Sequence, residues 1–462
     1  MSSRSVHPSR STGGAFAALL LAVLSFSLLQ TLIVPALPAL ERDLHADTGG
    51  ASWLISAFLV ASSVGTVILG RLGDIFGRKR LLLVSLGILA AGSLLAALSE
   101  SLGLLIAARA VQGLGAGTFP LAFGLVRELF TKERVPVVIG TISAAFGIGF
   151  GVGLVAPGPL IDAFGWPSLF WVSLILVAVA AAAVLAFIPA ARHAGAGQID
   201  WAGATVLSVA LVALLLGISQ ARTWGALATM QLIVLAVVAF IVFVLLERRV
   251  PAPLMNLGVL RRRPVAAANL TALIIGFGMY GAFTLVPQLV QTPVSAGYGF
   301  GATVTSSGLY LLPMAVTMLF AGPVAGRLGP RIGYTTTLVI ACLISAVGFG
   351  LLAIGLDQGW AIATGAGIIG IGIGLAFSVL ANVVVAAVEP HETGEATGVN
   401  TIVRTIGGAI GAQTAAAIVT AHLTSTGHPD PAGYTIAFAV SAISLVLAAL
   451  AGLLGGTRKA RR

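Results

Sequence analysis

Fourteen long apolar runs restrict the fold of this sequence more than any other feature. Each approaches the roughly 20 apolar residues that a helix needs to cross the hydrocarbon core of a bilayer, and none has the short alternating pattern of a barrel strand. Of the 462 residues, 58% are hydrophobic and only 9% are charged. Because backbone polar groups in lipid must be paired within helices or closed barrels, the sequence predicts a polytopic bundle of membrane-spanning helices.

Charged and turn residues bound the runs and indicate both their limits and their orientation. We predict spans at 15–38, 52–70, 81–99, 103–126, 137–160, 168–189, 202–219, 228–246, 266–290, 304–326, 334–356, 360–387, 396–421 and 433–456. With both termini inside, nearly all of the 25 Lys and Arg residues lie on the cytoplasmic side, and only Arg42 and Arg222 lie outside. The excess of basic residues in cytoplasmic loops predicts this orientation. It also accounts for the net charge of +10 without a nucleic-acid partner.

A repeated pattern of glycine and arginine divides the chain into halves. The tetrapeptide GRLG at 70–73 recurs at 326–329, and the alternating glycines at 113, 115 and 117 recur at 370, 372 and 374 with nearly the same separation. Parallel six-span repeats around a central cavity are one architecture of secondary transporters. We predict a cytoplasmic tail (1–14), an N-terminal six-helix bundle (15–195), two inserted helices (196–250), a basic cytoplasmic linker (251–264), a C-terminal six-helix bundle (265–456) and a basic tail (457–462).

The stretch GRLGDIFGRKR, residues 70–80, concentrates charge between two apolar runs. It resembles the motif between the second and third spans of the major facilitator superfamily, and the fourteen-span layout resembles the drug:proton antiporter branch. The resemblance implies an all-α integral membrane protein with the major-facilitator fold, built from two six-helix bundles plus two inserted helices. It also implies that this loop latches the two bundles on the cytoplasmic side in the outward-facing state. Asp74 can accept hydrogen bonds from a helix N-terminus or pair with Arg78. The implied latch residues are Gly70, Arg71, Gly73, Asp74, Gly77, Arg78 and Arg80.

The fourth span, with the sequence LIAARAVQGLGAG, also resembles the pattern of that superfamily. An arginine inside an apolar span costs about 2.5–3.5 kcal/mol on insertion scales, so it must face a partner or water. In the family this arginine is linked to proton transfer, and the alternative is a structural cation satisfied by helix carbonyls. We therefore predict a coupling group that includes a second intramembrane arginine: Arg109, Gln112, Gly113 and Arg404.

All fifteen acidic residues fall in loops or at span ends. Cation:proton antiporters usually need an intramembrane carboxylate, so several alternatives remain open. In the first, an acid at a span end such as Asp43, Asp74 or Glu128 carries the proton. In the second, protons pass through water near Arg109. In the third, the driving ion is not a proton. Two buried arginines without an acid are also suited to receive an anionic substrate.

The resemblance to the family implies a pocket lined by the first, fourth, ninth and tenth spans, so polar or aromatic side chains there are candidate cavity residues, together with Asn400 on the thirteenth. Polar groups orient a ligand, while aromatic rings form a tolerant apolar wall. Interhelical packing or hydrogen bonding is the alternative for each, and we expect about half of them to face the cavity. The candidates are Gln30, Thr31, Phe119, Asn269, Tyr280, Phe283, Gln288, Tyr310 and Asn400.

Other function classes lack their sequence signals. None of the three lysines follows a glycine, so the phosphate-binding loop of an ATP-driven pump is absent. The histidines lie in loops or tails, and the single Cys342 can form neither an internal disulfide nor a cysteine-built metal site. We predict neither an enzyme nor a metal or cofactor.

The sequence predicts a secondary active exporter of small, lipophilic, drug-like compounds, driven by proton antiport and working by alternating access. The alternative is export of an endogenous metabolite or an organic anion. The proton gradient is the expected energy source, without ATP. The bias of arginine over lysine, with abundant alanine and glycine, suggests a GC-rich bacterial genome. We therefore expect a monomer in the bacterial cytoplasmic membrane.

Overall fold

The computed structural model describes residues 11–45, 48–189, 200–250, 253–422 and 429–455. Within these ranges the regular structure is helical and contains no β-strand. Fourteen helical segments are long and apolar enough to cross a membrane. The predicted all-α architecture with fourteen spans is therefore confirmed.

The helices follow one another with short connections. They are α1 (Ser11–Thr31), α2 (Ile33–Asp43), α3 (Thr48–Phe76), α4 (Arg78–Ala97), α5 (Leu102–Leu114), α6 (Thr118–Leu129), α7 (Val135–Val155), α8 (Pro157–Phe164), α9 (Pro167–Phe187), α10 (Trp201–Ser219), α11 (Ala221–Glu247), α12 (Leu257–Leu260), α13 (Arg263–Gln291), α14 (Val304–Ile332), α15 (Tyr334–Ile354), α16 (Gly359–Ala387), α17 (Thr393–Ala421) and α18 (Pro431–Gly455). Single 3₁₀ turns lie at Val294–Ala296 and Pro390–Glu392.

Several spans differ from the prediction in their shape, two of them at the predicted motifs. The second extends to Phe76, so most of the stretch at 70–80 is helical rather than a loop. The fourth is broken between Leu114 and Thr118, where the sequence GAG ends α5 and begins α6. Glycine lowers helix stability by about 1 kcal/mol relative to alanine, but the matching glycines at 370, 372 and 374 lie inside the unbroken α16, so glycine content alone does not cause the break.

The GRLG part of the repeat leads into the same turn in both halves. Gly77 joins α3 to α4 with φ +97°, and Gly333 joins α14 to α15 with φ +95°. Side chains are strained at such a φ, and glycine is not. Two long helices therefore meet at a one-residue turn in each half.

Helix contacts group the spans on either side of an interface. Helix α1 packs on α7 and α9, and α4 packs on α5 and α9. In the other half, α13 packs on α17 and α18, and α15 packs on α16 and α18. Across the interface, α7 contacts α14 and α3 contacts α17. A Cβ on Gly140 would lie 2.4 Å from the carbonyl oxygen of Gly322, so the α7–α14 crossing requires small residues.

The inserted pair α10 and α11 packs against itself, and α10 also contacts α3 and α17. The predicted tails (1–14 and 457–462) and the predicted boundary at 195–196 lie wholly or largely outside the described residues. The division into domains stays a prediction.

Candidate functional site

The stretch at 70–80 places an acid and a base on opposite sides of the turn at Gly77. Asp74 lies in the last turn of α3, and Arg78 is the first residue of α4. Arg78 donates two hydrogen bonds to Asp74 Oδ1, from Nη2 at 2.6 Å and from Nε at 3.0 Å. The Asp74 side chain is only 2% exposed. Charge-assisted pairs of this kind hold their geometry strongly, so the turn presents Arg78 rigidly.

Arg78 uses its remaining donors to bridge the two halves of the protein. Within the N-terminal half, its Nη1 donates to the carbonyl of Gly124 at 3.1 Å and to Glu128 at 2.7 Å. Across the interface, its Nη2 donates to the carbonyl of Pro390, just before α17. The guanidinium fork therefore ties α4, α6 and the start of α17 together.

The N-terminus of α17 completes the contact from the other side. The N–H of Glu395 donates to Asp74 Oδ2 at 3.3 Å, and the Glu395 carboxylate lies 3.6 Å from Arg71. Arg127 donates to Thr393 Oγ1 at 2.8 Å and to the carbonyl of Val388. The negative charge of Asp74 therefore lies where the helix dipole favours it. We call Arg71, Asp74, Arg78, Arg127 and Glu395 the latch.

The predicted latch glycines allow these close approaches, whereas Arg80 takes no part in them. A Cβ on Gly70 would lie 2.9 Å from the carbonyl oxygen of Gly394, and one on Gly73 would lie 2.1 Å from a methyl carbon of Leu121. Arg80 is exposed and makes no hydrogen bond or ion pair among the described residues. The sequence analysis did not assign Arg127 or Glu395 to the latch, because no local motif marks a partner from the other half.

Arg109 lies inside the N-terminal half rather than at the interface. It is 1% exposed, and it donates to the carbonyls of Leu54 and Leu29 and to Gln112 Oε1, at 2.8–3.1 Å. Its guanidinium lies 4.2 Å from the ring centroid of Phe58. Gln112 in turn donates to Ser93. The predicted pair of Arg109 and Gln112 is thus hydrogen-bonded to α1, α3 and α4, whereas Arg109 Nη2 has no partner among the described residues.

Gly113, the third residue of the predicted coupling group, serves packing. A Cβ there would lie 2.5 Å from the carbonyl oxygen of Phe58, so glycine lets α5 approach α3 closely.

Two small cavities lie between the halves, separated by Phe119, Thr401 and Arg404, which line both. Their volumes are about 20 and 10 Å³, so the larger holds about one water molecule. We call them together the central cavity. Its remaining lining residues are Phe26, Gln30, Ser62, Ser63, Thr66, Ala116, Phe123, Ser143, Phe146, Tyr280, Phe377, Ala381, Thr397, Asn400, Ile402 and Thr405.

Arg404 is the one charged residue among those lining residues. Its guanidinium lies 4.3 Å from the ring centroid of Phe377 and 5.7 Å from that of Phe146. Among the described residues, no acid pairs with it and no group accepts a hydrogen bond from it. Aromatic faces stabilise a cation without neutralising it, so Arg404 gives the central cavity a net positive charge.

The structure brings four of the nine candidate cavity residues to the central cavity. These are Gln30, Phe119, Tyr280 and Asn400, and Gln30 Nε2 donates to Tyr280 Oη at 2.9 Å. The second, fifth and twelfth spans contribute lining residues that the sequence analysis did not assign.

The other five candidates are placed elsewhere. Thr31 packs against Gly153, and Asn269 accepts a hydrogen bond from Asn400. Phe283 packs on Tyr280, Gln288 is exposed, and Tyr310 packs on Phe300. The tenth span, α14, contributes no residue to the central cavity, because its glycines and small side chains pack against α7.

Two groups of membrane-spanning helices that meet around an internal cavity are an architecture of many membrane transport proteins. The chain belongs to the Major Facilitator Superfamily, whose sequence profile matches residues 19–412. This membership confirms the predicted family and the predicted absence of enzyme function.

Several relatives have names that describe transport. The chain is 30% identical over 396 residues to the tetracenomycin C resistance and export protein of Streptomyces glaucescens, covering 84% of this chain and 72% of that protein. It is 28% identical over 412 residues to the multidrug transporter protein MdtP of Bacillus subtilis, covering 87% and 74%. It is 33% identical over 416 residues to an uncharacterized MFS-type transporter of Mycobacterium tuberculosis, covering 87% of this chain but only 59% of that longer protein.

A solved structure has the same fold. The human organic anion transporter MFSD10 (TETRAN) superposes with a TM-score of 0.67, covering 96% of this chain and 99% of that one, at 17% sequence identity. At that identity the similarity concerns the fold alone.

Proposed function

We propose that this protein exports small, lipophilic, drug-like compounds by alternating access, driven by proton antiport. The observation that carries the proposal is a cavity between the two halves, closed on one side by the latch. Phenylalanine rings and a few hydroxyl and amide groups line this cavity, a combination that accepts varied apolar ligands. The relatives named for multidrug transport and for tetracenomycin C export support the same function.

The latch face is the cytoplasmic face in this proposal, so the structure corresponds to a state closed toward the cytoplasm. The bias of basic residues supports this orientation. Both termini are then cytoplasmic, and the membrane is the bacterial cytoplasmic membrane, as the bacterial relatives suggest. The exporter works as a monomer and without ATP.

Arg109 takes part in coupling in this proposal. Its guanidinium holds the carbonyls of Leu29 in α1 and Leu54 in α3, while its Nη2 is buried without a partner among the described residues. A buried donor without an acceptor costs about 1–3 kcal/mol. A water molecule or a rearranged carbonyl beside Nη2 would recover that energy. Because Arg109 is bonded to carbonyls of α1 and α3, movements of these two helices change its hydrogen bonds directly.

Export of an organic anion or an endogenous metabolite is the second candidate, and Arg404 favours it. The central cavity holds this cation without an acidic partner. A substrate carboxylate would pair with the guanidinium through two parallel hydrogen bonds, whereas a cationic drug would be repelled. A neutral aromatic compound would stack on the phenylalanine rings and suit either candidate.

The test measures internal pH in proteoliposomes under an imposed pH gradient, first with lipophilic cationic dyes and then with small organic anions. Proton movement that depends on the cations supports drug:proton antiport. Movement with the anions only, abolished by Arg404→Gln and kept by Arg261→Ala, establishes anion export instead. Substrate flux without proton movement refutes proton coupling. Arg261 is an exposed residue outside the cavity, so its variant is the matched control.

A further inference from the structure

The segment that joins the inserted helices to α13 lies against the latch. Its described parts are residues 248–250 and 253–262, and the second includes the short helix α12. From here on, the linker means residues 253–262, which lie within the linker predicted at 251–264. A simple covalent connection of this kind needs no specific contacts with either half, yet the linker makes several with both.

The linker is fixed first to the inserted helices. The carboxylate of Glu247, at the end of α11, accepts hydrogen bonds from the backbone N–H groups of Leu254 and Met255, both at 3.2 Å. The side chains of Leu254 and Met255 are buried in one apolar cluster with Val67 of α3 and Val399 of α17. The start of the linker is therefore wedged between the two helices that meet at the latch.

Polar groups of the linker then bind the latch on both sides of the interface. On the N-terminal side, the carbonyl of Pro253 accepts a hydrogen bond from Arg71 Nη2 at 3.1 Å. On the C-terminal side, the N–H of Asn256 donates to Glu395, and its Nδ2 donates to Glu392 at 2.9 Å. The linker thus contacts residues of α3 and α17 at the same time.

These contacts supply the short hydrogen bonds that the ion pair between Arg71 and Glu395 lacks. Arg71 and Glu395 are 3.6 Å apart, beyond the 2.7–2.9 Å of a close charge-assisted hydrogen bond. The Glu395 side chain is 4% exposed, and Arg71 Nε is buried without a partner among the described residues. Because buried charges require hydrogen bonds, the linker provides the nearer partners of both Arg71 and Glu395.

We propose that the inserted helices and the linker form a strap that holds the latch closed. Opening the latch separates α3 from α17, so Pro253 and Asn256 cannot keep both Arg71 and Glu395. The strap must release one side at each opening. The inserted helices then have a role in gating, and the strap adds to the stability of the closed state independently of the substrate and of the coupling ion.

The distance between the two halves can be measured with spin labels on the latch face. Lys132, which follows α6, and His391, which precedes α17, are both exposed and lie outside the latch. The pair Lys132→Cys and His391→Cys would be labelled in a Cys342→Ser background and measured by double electron–electron resonance in nanodiscs. The ratio of the short to the long distance population reports how far the latch is closed.

Two strap variants break different contacts. Asn256→Ala removes the donor to Glu392 at an exposed position, and Glu247→Gln weakens the two bonds that hold the linker backbone. Each involves a hydrogen bond to a charged group, so we expect the short-to-long ratio to fall about tenfold in each. Arg261→Ala, which removes an exposed linker side chain with no described partner, is the control and should leave the ratio unchanged.

The outcomes separate a strap from a passive connection. A lower ratio in both strap variants with an unchanged control supports the strap. An unchanged ratio in Asn256→Ala and Glu247→Gln overturns it, whatever the transport assays show. An equal fall in the Arg261→Ala control also overturns it, since the effect would then come from disturbing the linker in general.

Discussion

Replacing Asp74 by asparagine tests the latch at the residue that receives the N-terminus of α17. Asp74 binds Arg78 within its own half, so this pair does not cross the interface. Its contact across the interface is the hydrogen bond from the N–H of Glu395 at 3.3 Å. A hydrogen bond to a charged group contributes about 1.5–3 kcal/mol, and the helix dipole adds about 0.3–1 kcal/mol. The asparagine amide oxygen can still accept this N–H, so the substitution removes the charge-dependent part of the bond and the dipole interaction, together about 2 kcal/mol for the closed state.

A loss of about 2 kcal/mol lowers the ratio of closed to open protein about 30-fold, since each 1.4 kcal/mol is a factor of ten. The same spin-label pair on Lys132→Cys and His391→Cys measures it. We also expect Asp74→Asn to abolish transport while the protein stays folded in the membrane, because a transporter that cannot close one face cannot complete the cycle.

Glu128→Gln is the matched control for Asp74→Asn. Glu128 also pairs with Arg78, at 2.7 Å, but it is 39% exposed and its contact lies within the N-terminal half. Exposed ion pairs contribute about 0.2–1 kcal/mol, so the ratio should change by less than about fivefold. Equal changes of the closed-to-open ratio in Asp74→Asn and Glu128→Gln would refute the reasoning. They would show that losing any partner of Arg78 opens the latch, and that the contact between Asp74 and α17 has no special role.

Three further substitutions test other parts of the structure. Arg109→Lys should lower transport at least tenfold in proteoliposomes, since one ammonium group cannot reproduce the fork that binds two carbonyls and Gln112; unchanged transport would contradict this. Gly77→Ala should lower unfolding free energy by about 1–2 kcal/mol because of its φ of +97°, read as a lower thermal midpoint in detergent. Gly140→Ala should destabilise by about 1–3 kcal/mol through overpacking against α14, whereas Gly350→Ala, with open space around it, should not.

The spans and one half of the latch could be predicted because both depend on local sequence. A run of apolar residues becomes a membrane helix almost wherever it occurs. Asp74 and Arg78 are four residues apart around a glycine turn, so their pairing follows from spacing alone. The other half of the latch depends on distant residues. Glu395 and Asp74 are 321 positions apart, and no pattern in one sequence brings them together.

The cavity was harder to predict because its lining depends on how each helix is rotated about its axis. Tyr280 and Gln288 lie on the same helix, eight residues apart, yet Tyr280 reaches the cavity and Gln288 is exposed. Because nearly every face of these helices is apolar, composition does not indicate which face of a helix lines the cavity. The sequence analysis assigned Arg404, which lines the cavity, to the coupling group instead, since a cation inside a span can face either a cavity or a partner.

The positions of the charges constrain how protons would drive the proposed export. No acid lines the central cavity among the described residues, whereas Asp74 and Glu395 are buried at the latch. Proton and substrate then cannot compete for one carboxylate. Protonation of Glu395 would instead weaken its attraction to Arg71 and so favour opening of the latch. In Glu395→Gln, substrate should still bind and exchange, but its uptake should no longer respond to a pH gradient. A variant that keeps full pH dependence would place the coupling elsewhere, and Arg109 would be the next residue to test.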